Sequence, residues 1–380
     1  MLKIPYARQN ISQNDIKKVN LTLKSNFLTT GPKTLEFEKK LSKYSGAKFS
    51  LVLNSATSAL HISCLSLGLK KNDYLWTTPI SFAASSNCAL YCGAKVDFID
   101  IDDNTFNISI PNLEKKLKLT PKKKLPKIVV VVHLSGHPVD IKKVKQLAIK
   151  YNFKIIEDAS HAVGSTYKGM KIGNCKYSDI CVYSFHPVKI ITTGEGGAIL
   201  TNSKKIFNTA SILRSHGIKK EIYQKNNPWF YDQKLLGYNY RMNDIEATLG
   251  ISQLSRLEKF VDRRNKIAKI YKKYLNQNKI KFQSLIPASK SSMHLFVIRV
   301  NENIRMKIYN SLKKNRINTN LHYKPIYRHS FYKQYNFNKH NFKNSEKYYK
   351  EAITLPLYYD LKKYDQMKIV KIINKVLTKR

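Results

Sequence analysis

The most informative property of this 380-residue sequence is what it lacks. No run of about 18 apolar residues occurs, so no transmembrane helix is predicted. Residues 1–19 contain no apolar stretch typical of a signal peptide, and we expect none there. GxGxxG and GxxxxGKS/T motifs are also missing, which gives no sign of dinucleotide or P-loop chemistry. We therefore expect a cytoplasmic protein without a membrane partner.

Cysteine is scarce as well. The five cysteines include no CxxC pair, which favours buried thiols in a reducing compartment over a disulfide framework. Cys88 and Cys92 lie close together in the sequence, but no further Cys or His completes a set of zinc ligands. No metal site is predicted.

Acidic residues are few. The sequence contains 25 Asp and Glu against 68 Lys and Arg, which gives a formal net charge of +43. Such an excess can mark a nucleic-acid partner. However, only 11 of the basic residues are Arg, the type best suited to bidentate phosphate recognition. The lysines are spread along the whole chain, which favours an AT-rich coding bias and no specific nucleic-acid partner. Residues 322–350 interleave Lys with Tyr and Phe, so a basic nucleic-acid-binding protein is kept as an alternative.

Short apolar runs alternate with amphipathic helical patterns over the first 250 residues. Within residues 140–152, for example, Ile141, Val144, Ala148 and Tyr151 share one helical face. Alternation of this kind predicts an α/β fold with a mostly parallel sheet. The predicted strands are 73–79, 94–101, 127–134, 153–158, 179–185 and 196–202.

The C-terminal part has a different pattern. One extended helix is predicted from Asn243 to about Asn278, and shorter elements follow it. These shorter elements, which indicate a smaller α+β unit, are a strand at 293–300 and helices at 304–315 and 363–378. We therefore predict a large domain of residues 1–255 and a small domain of residues 256–380.

Chemically useful side chains follow the predicted strands, at the edge where open parallel sheets bind ligands. Asp158 and His161 follow one strand, and Lys189 follows another, between Val188 and Ile190. The segment "NSATS" (54–58) precedes an apolar helical run, and the free N–H groups of a helix start favour an anion.

An amine, a carboxylate and an anion site are what pyridoxal phosphate requires. An apolar environment lowers the pKa of a lysine and favours the neutral amine that attacks an aldehyde. Each residue also has an ordinary interpretation: Lys189 as surface charge, Asp158 as the cap of a following helix, "NSATS" as a simple N-cap and His161 as a core histidine.

Longer motifs add a resemblance to a known family. "EDASHAVGSTYKGMKIGN" (157–174), "SFHPVKIITTGEGGAI" (184–199) and "LGYNYRMNDIEATLG" (236–250) closely resemble the DegT-like nucleotide-sugar aminotransferases. The match continues through "NSATSALH", "PISFAAS" and "LHYKPIY" and covers almost the whole chain. The resemblance implies the aspartate-aminotransferase-like fold (fold type I) of enzymes that use pyridoxal phosphate. Within the group, the motifs look most like those of enzymes that aminate a UDP-linked 4-keto-6-deoxy sugar on the way to pseudaminic acid.

The resemblance also implies roles for individual residues. Lys189 would bind the cofactor's aldehyde, Asp158 would face its pyridine nitrogen and His161 its ring oxygen. Ala56, Thr57 and Ser184 would hold the phosphate, and Asn239 would reach the phosphate of a partner subunit in a homodimer. Phe82 would stack on the ring, with Trp76 as the alternative. An N-terminal substrate loop of residues 1–32 is implied too, and the residues implied in sugar-nucleotide binding are Tyr6, Asn26, Phe27, Leu28, Thr29, Asn320, Leu321, His322 and Tyr323.

The implied reaction moves an amino group from an amino acid, L-glutamate being the expected donor, to C4 of a UDP-keto-sugar. A sister aminotransferase acting on another nucleotide keto-sugar is the nearest alternative. Because an imidazole cannot bind the aldehyde covalently, Lys189 favours transamination over the activity of group members that carry His at this position.

Overall fold

The computed structural model describes residues 4–219 and 229–378. The strands in these ranges are β1 (Phe49–Leu53), β2 (Tyr74–Thr77), β3 (Lys95–Phe98), β4 (Ile128–Val132), β5 (Lys154–Asp158), β6 (Thr166–Tyr167), β7 (Met170–Lys171), β8 (Ile180–Ser184), β9 (Gly197–Thr201), β10 (Ile218–Lys219), β11 (Asp232–Gln233), β12 (Lys281–Phe282), β13 (Ser289–Lys290), β14 (Phe296–Arg299) and β15 (Ala352–Leu355). The α-helices are α1 (Gln13–Leu23), α2 (Pro32–Ser45), α3 (Ala56–Ser66), α4 (Ala84–Tyr91), α5 (Ile110–Leu119), α6 (Ile141–Tyr151), α7 (Lys204–Arg214), α8 (Asp244–Leu254), α9 (Leu257–Tyr274), α10 (Glu302–Lys314), α11 (Lys343–Glu351) and α12 (Lys363–Thr378).

A seven-stranded sheet in the order β1-β9-β8-β5-β4-β2-β3 forms the centre of the molecule. The pairs from β3 to β8 are parallel, and β9 runs antiparallel to both β8 and β1. The carboxyl ends of β1, β5 and β8 therefore lie at the same edge. Each predicted strand contains an observed one, which confirms the α/β class and the mostly parallel sheet.

Apolar side chains cover both faces of this sheet. In β4, Val129 and Val131 pack into one core, while Val130 and Val132 point to the other. The first core includes Val144 and Leu147 of α6, on the face that the sequence pattern predicted. The second core includes residues of α3 and α4. A sheet buried on both faces is what continuous apolar strands require.

A separate core lies in the C-terminal part, where β12, β14 and β15 form a three-stranded sheet. Side chains of α9, α10 and α12 pack against it. Ile4 joins this core and forms a β-bridge with Ile317, so the N-terminal residues cross to the C-terminal part of the chain. The division into residues 1–255 and 256–380 stays a prediction.

The extended helix predicted from Asn243 to about Asn278 is wrong in one respect, because two helices, α8 and α9, occupy that range. At the break, the N–H of Arg256 donates to the carbonyl of Gln253 at 3.0 Å. The Arg256 guanidinium donates to Asn10 Oδ1 at 2.7 Å and pairs with Asp15, which holds this turn against α1. Neither Gly nor Pro marks the break, so the local sequence did not reveal it.

The five cysteines are free thiols, but Cys92 is only half-buried, which corrects the expectation that all five are buried. Within residues 4–219 and 229–378, no helix has both the length and the apolar character needed to cross a membrane. The same ranges contain no cluster of His, Cys, Asp and Glu arranged to hold a metal ion.

Candidate active site

A cavity of about 340 Å³ opens where β1, β5 and β8 end. It collects side chains from widely separated parts of the sequence, as binding at the carboxyl edge of a parallel sheet requires. The predicted site residues that line it are Tyr6, Ala56, Thr57, Phe82, Asp158, His161, Ser184, Lys189, Asn320, His322 and Tyr323.

Lys189 lies in the turn that follows β8, where its N–H donates to the carbonyl of His186 at 2.9 Å. Its side chain is half-buried, and no group in the described part of the chain forms an ion pair or hydrogen bond with Nζ. Surrounding protein atoms exclude water from the ammonium and lower its pKa to about 8, while the charge of Asp158 acts in the opposite direction. Lys189 thus differs from an ordinary surface lysine, because its amine lies at the cavity wall and loses its proton more readily.

Asp158 is the last residue of β5, and its carboxylate is buried at the bottom of the cavity. One oxygen, Oδ1, accepts the N–H of Ser160 at 3.1 Å, and the other, Oδ2, accepts the hydroxyl of Ser85 at 2.6 Å. No helix begins after Asp158, because a turn occupies the residues that follow. The alternative interpretation of Asp158 as a helix cap is therefore wrong.

The start of α3 forms another side of the cavity. Ser55 caps the helix, and its hydroxyl accepts the N–H of Ser58 at 3.0 Å. The N–H groups of Ala56 and Thr57 have no acceptor among the residues that the structure describes. The side chain of Ser184, at the end of β8, lines the same cavity. Two free N–H groups, a helix dipole and a hydroxyl make this corner suitable for a phosphate.

Gly197 allows the sheet to approach the start of α3 closely. It is the first residue of β9 and pairs with both Leu53 and Ser184. A Cβ atom at this position would lie 2.5 Å from the nitrogen of Ala56. Glycine is therefore required where the strand meets the helix.

The two candidates for a stacking side chain have different environments. Phe82 precedes α4, is 62% exposed and lines the cavity. Trp76 is fully buried in the core beneath the sheet, with the ammonium of Lys116 5.0 Å from its ring centroid. Of the two rings, only Phe82 is positioned to contact a ligand in the cavity.

His161 and Tyr323 form a hydrogen bond whose donor can be identified. The N–H of Ser135 donates to Nδ1 of His161 at 3.2 Å, and Nε2 lies 3.1 Å from the hydroxyl of Tyr323. Burial and, second, the charge of Lys189 lower the pKa of His161 well below its usual value, so the ring is neutral. A neutral imidazole that accepts at Nδ1 carries its hydrogen on Nε2. His161 therefore donates to Tyr323, and the tyrosine hydrogen is available to a ligand.

The wall of the cavity opposite the sheet comes from both ends of the chain. His322 is buried, contacts the hydroxyl of Thr354 through Nδ1 at 2.9 Å, and lies 5.6 Å from the ring of Tyr6. Burial and, second, the charge of Lys189 lower the pKa of His322 to about 3. This wall is thus uncharged and aromatic, with Asn320 exposed at its edge.

Some predicted site residues lie outside the cavity. The Asn26–Thr29 loop is exposed, and the N–H of Asp244 donates to the carbonyls of Leu28 and Thr29, which anchors the loop on α8. Asn239 is exposed and forms a β-bridge with Ser215. Leu321 packs partly against a small core cluster. Ligand contacts by these residues stay predictions, and for Asn239 and the loop they require a second chain or a large substrate.

Sequence reasoning missed several residues of the site. Ser81, Ser160, His186, Glu195 and Gly196 line the cavity without having been assigned a role. Two further residues act through contacts: Ser85, which binds Asp158, and His294, whose ring lies 4.4 Å from that of His161. Ser85 lies in the first turn of α4, whereas Ser81 precedes that helix, so no helical spacing in the sequence links these two serines.

The basic and aromatic segment 322–350 has a structural explanation. Its aromatic side chains at Tyr327, Tyr332, Phe342 and Tyr348 are buried in the cores of the molecule. Buried rings cannot stack on nucleic-acid bases. Phe331 and Tyr335 of the same segment are exposed. The alternation of Lys and aromatic residues therefore reflects core packing at the buried positions only, and the nucleic-acid-binding alternative loses part of its support.

Comparisons with known proteins agree with this geometry. A family model described as the DegT/DnrJ/EryC1/StrS aminotransferase family matches residues 9–374. The UDP-4-amino-4,6-dideoxy-N-acetyl-beta-L-altrosamine transaminase of Campylobacter jejuni is 41% identical over 367 residues, which cover 94% of this chain and 93% of that protein.

Two solved structures have nearly the same fold. The PMP-form of a putative sugar aminotransferase from Streptococcus pneumoniae superimposes with a TM-score of 0.91 at 30% identity, covering 98% of this chain and 99% of that one. Helicobacter pylori PseC, described as an aminotransferase involved in the biosynthesis of pseudoaminic acid, has a TM-score of 0.90 at 32% identity and covers 98% of both chains.

Proposed function

Since the chain belongs to the DegT/DnrJ/EryC1/StrS aminotransferase family, we propose that it transfers an amino group from L-glutamate to C4 of a UDP-linked 4-keto-6-deoxy-N-acetyl-hexose. The product would serve the biosynthesis of a pseudaminic acid-type sugar. The name of the 41%-identical Campylobacter relative and the description of the Helicobacter structure support this choice of substrate. Whichever keto-sugar it uses, the chain is a nucleotide-sugar aminotransferase with the predicted fold-type-I architecture.

The enzyme's cofactor is pyridoxal phosphate, and the cavity has the groups to hold it. Lys189 offers an amine without a partner, Asp158 offers a buried carboxylate, and the N–H groups of Ala56 and Thr57 offer an anion site. When bound, the cofactor's ring withdraws electrons from the carbon that carries the transferred amino group. The structure of a 30%-identical sugar aminotransferase is known in both PLP and PMP forms.

In this proposal each cavity residue has a separate role. Lys189 would bind the cofactor's aldehyde in the resting enzyme. In the reaction its free Nζ would move a proton to and from the substrate carbon. Asp158 would hold a positive charge on the ring nitrogen. Phe82 would contact the ring face and His161 would lie beside the ring oxygen, while the start of α3 and Ser184 would bind the phosphate.

The observation that carries the proposal is the placement of Lys189 opposite Asp158. Among 57 lysines, Lys189 is an amine without a partner in a cavity that also contains a buried carboxylate and a free helix start. Covalent catalysis requires an amine with a lowered pKa beside the site of the anion, whereas ligand binding alone does not require one.

The sugar nucleotide would contact the uncharged wall formed by Tyr6, Asn320, His322 and Tyr323. We further propose that the enzyme is a homodimer in which Asn239 and the Asn26–Thr29 loop complete the site of the second copy. The exposure of Asn239 and of the loop supports this, because they are accessible yet do not line the cavity of their own chain.

Five free thiols support a reducing, cytoplasmic location.

A substrate screen tests the proposal. Purified enzyme is incubated with L-glutamate and a panel of UDP- and dTDP-linked keto-sugars, and each product is identified by NMR. We expect an equatorial or axial amine at C4 of a UDP-4-keto-6-deoxy sugar, with Lys189→Ala as the inactive control. Amination of a different keto-sugar would replace the substrate but keep the enzyme class. A colourless protein that aminates none of them would reject the function as a whole.

A further inference from the structure

Ser85, in the first turn of α4, and Ser81, three residues before that helix, form a hydrogen-bonded chain that ends on Asp158. The hydroxyl of Ser81 lies 2.7 Å from that of Ser85, and the hydroxyl of Ser85 lies 2.6 Å from Asp158 Oδ2. Ser85 is fully buried, Ser81 is 4% exposed and Asp158 is 5% exposed. Water has little access to these bonds, so the serine hydroxyls take its place in solvating the carboxylate.

The direction of this chain follows from the chemistry of its last member. An ionised carboxylate only accepts hydrogen bonds, so the hydroxyl of Ser85 donates its single hydrogen to Asp158. Ser81 is then the donor to the oxygen of Ser85. On the other carboxylate oxygen, the backbone N–H of Ser160 is fixed as a donor at 3.1 Å. Both oxygens of Asp158 thus accept hydrogen bonds, one from the N–H of Ser160 and the other from the hydroxyl of Ser85.

We propose that Ser85, oriented by Ser81, is a positioning residue that keeps Asp158 ionised and so keeps the proton on the ring nitrogen of the bound cofactor. This inference rests on the proposed function, in which Asp158 faces that nitrogen. The proton between a ring nitrogen and a buried carboxylate can reside on either partner. Donors to the carboxylate favour the charge-separated arrangement, and their removal favours a neutral carboxyl and a neutral ring.

The consequence for catalysis is direct. A ring without its proton withdraws electrons less strongly, so the proton transfer carried out by Lys189 slows. A hydrogen bond to a charged group has a strength that corresponds to a change of about 10- to 100-fold in an equilibrium or rate. Loss of the Ser85 hydroxyl should reduce kcat by about this factor and leave the KM for the sugar nucleotide nearly unchanged, because Ser85 does not line the cavity.

The test is Ser85→Ala, with the neighbouring Ser86→Ala as a matched control. Ser86 is equally buried on the same helix, but its hydroxyl donates to the carbonyl of Ala83 and contacts Tyr332 instead of Asp158. Cofactor labelled with ¹⁵N in the ring is bound to each protein, and the nitrogen chemical shift reports its protonation. We expect a protonated nitrogen in the wild type and Ser86→Ala, and a shift toward the unprotonated value in Ser85→Ala.

A second variant, Ser85→Cys, keeps the size of the side chain and replaces the hydroxyl by a weaker donor. It should give a smaller shift in the same direction, and it serves in place of Ser85→Ala if that variant does not fold. A protonated nitrogen in the wild type that stays fully protonated in the folded Ser85 variants overturns the inference alone. A wild type that binds no cofactor overturns the proposed function as well, so the two failures are distinguishable.

Discussion

Asp158 and Lys189 face one cavity from the ends of two paired strands, β5 and β8, without forming an ion pair. Burial and the charge of Asp158 shift the pKa of the Lys189 ammonium in opposite directions. Burial lowers the pKa of Lys189 to about 8, and the negative charge of Asp158 partly offsets that effect. The amine is therefore poised near neutrality, where small changes in its surroundings alter the fraction that can react.

This relationship predicts how cofactor attachment depends on pH. Below pH 8 the amine is mostly protonated and unreactive, so the rate of attachment to the apo-protein should rise with pH and level off above about 8. Asp158→Asn removes the charge that raises the pKa, so the midpoint should move to lower pH. Stopped-flow absorbance measures both. Glu195→Gln, which removes an exposed charge at the cavity rim, is the control and should leave the midpoint in place.

Tyr323→Phe should lower kcat/KM for the keto-sugar by roughly tenfold, the loss expected for one hydrogen bond. The variant removes the hydroxyl that His161 directs into the cavity but keeps the ring beside Phe82. Tyr327→Phe is the control, because that hydroxyl donates to Glu346 outside the cavity. Steady-state kinetics that are identical for both variants would show that the Tyr323 hydroxyl does not contact the ligand.

Gly197→Ala should weaken cofactor binding by roughly tenfold or more, because the added methyl group would displace the N–H of Ala56 from the phosphate. Overpacking also costs about 1–3 kcal/mol of folding free energy. Gly169→Ala is the control: its φ of +76° makes alanine strained there, but no atom lies within 4 Å of the new Cβ. Equilibrium titration should show weaker binding for Gly197→Ala only. Equal affinities in the two folded variants would remove the start of α3 from the phosphate site.

Asn239 should act across the proposed subunit interface. Lys189→Ala and Asn239→Ala are each expected to be inactive as homodimers. In a hybrid dimer, one site carries both defects and the other neither, so mixing the two variants should restore part of the activity. Native mass spectrometry verifies that subunits have exchanged. If exchanged dimers stay inactive, Asn239 does not complete the site of the second copy.

The sequence predicted most of the elements whose formation depends on neighbouring residues alone. Alternating apolar runs predicted the central strands, and the apolar neighbours of Lys189 correctly indicated the environment of its amine. β1 was not predicted, because its five residues run directly into the helix start at Ser55. The break between α8 and α9 depends on contacts of Arg256 with α1, more than 240 residues away in the sequence. The serine chain to Asp158 likewise joins residues 73 positions apart, and no local pattern records such a pair.

Reduction of the holoenzyme with borohydride, followed by digestion and peptide mass mapping, identifies the lysine that binds the cofactor. Borohydride fixes the cofactor permanently to the amine that holds it, and the protein contains 57 lysines. We expect a single modified peptide, with the cofactor on Lys189, and no modification in Lys189→Ala treated in the same way. A cofactor fixed on another lysine, or on none in a protein that has bound it, would show that Lys189 is not the covalent attachment residue.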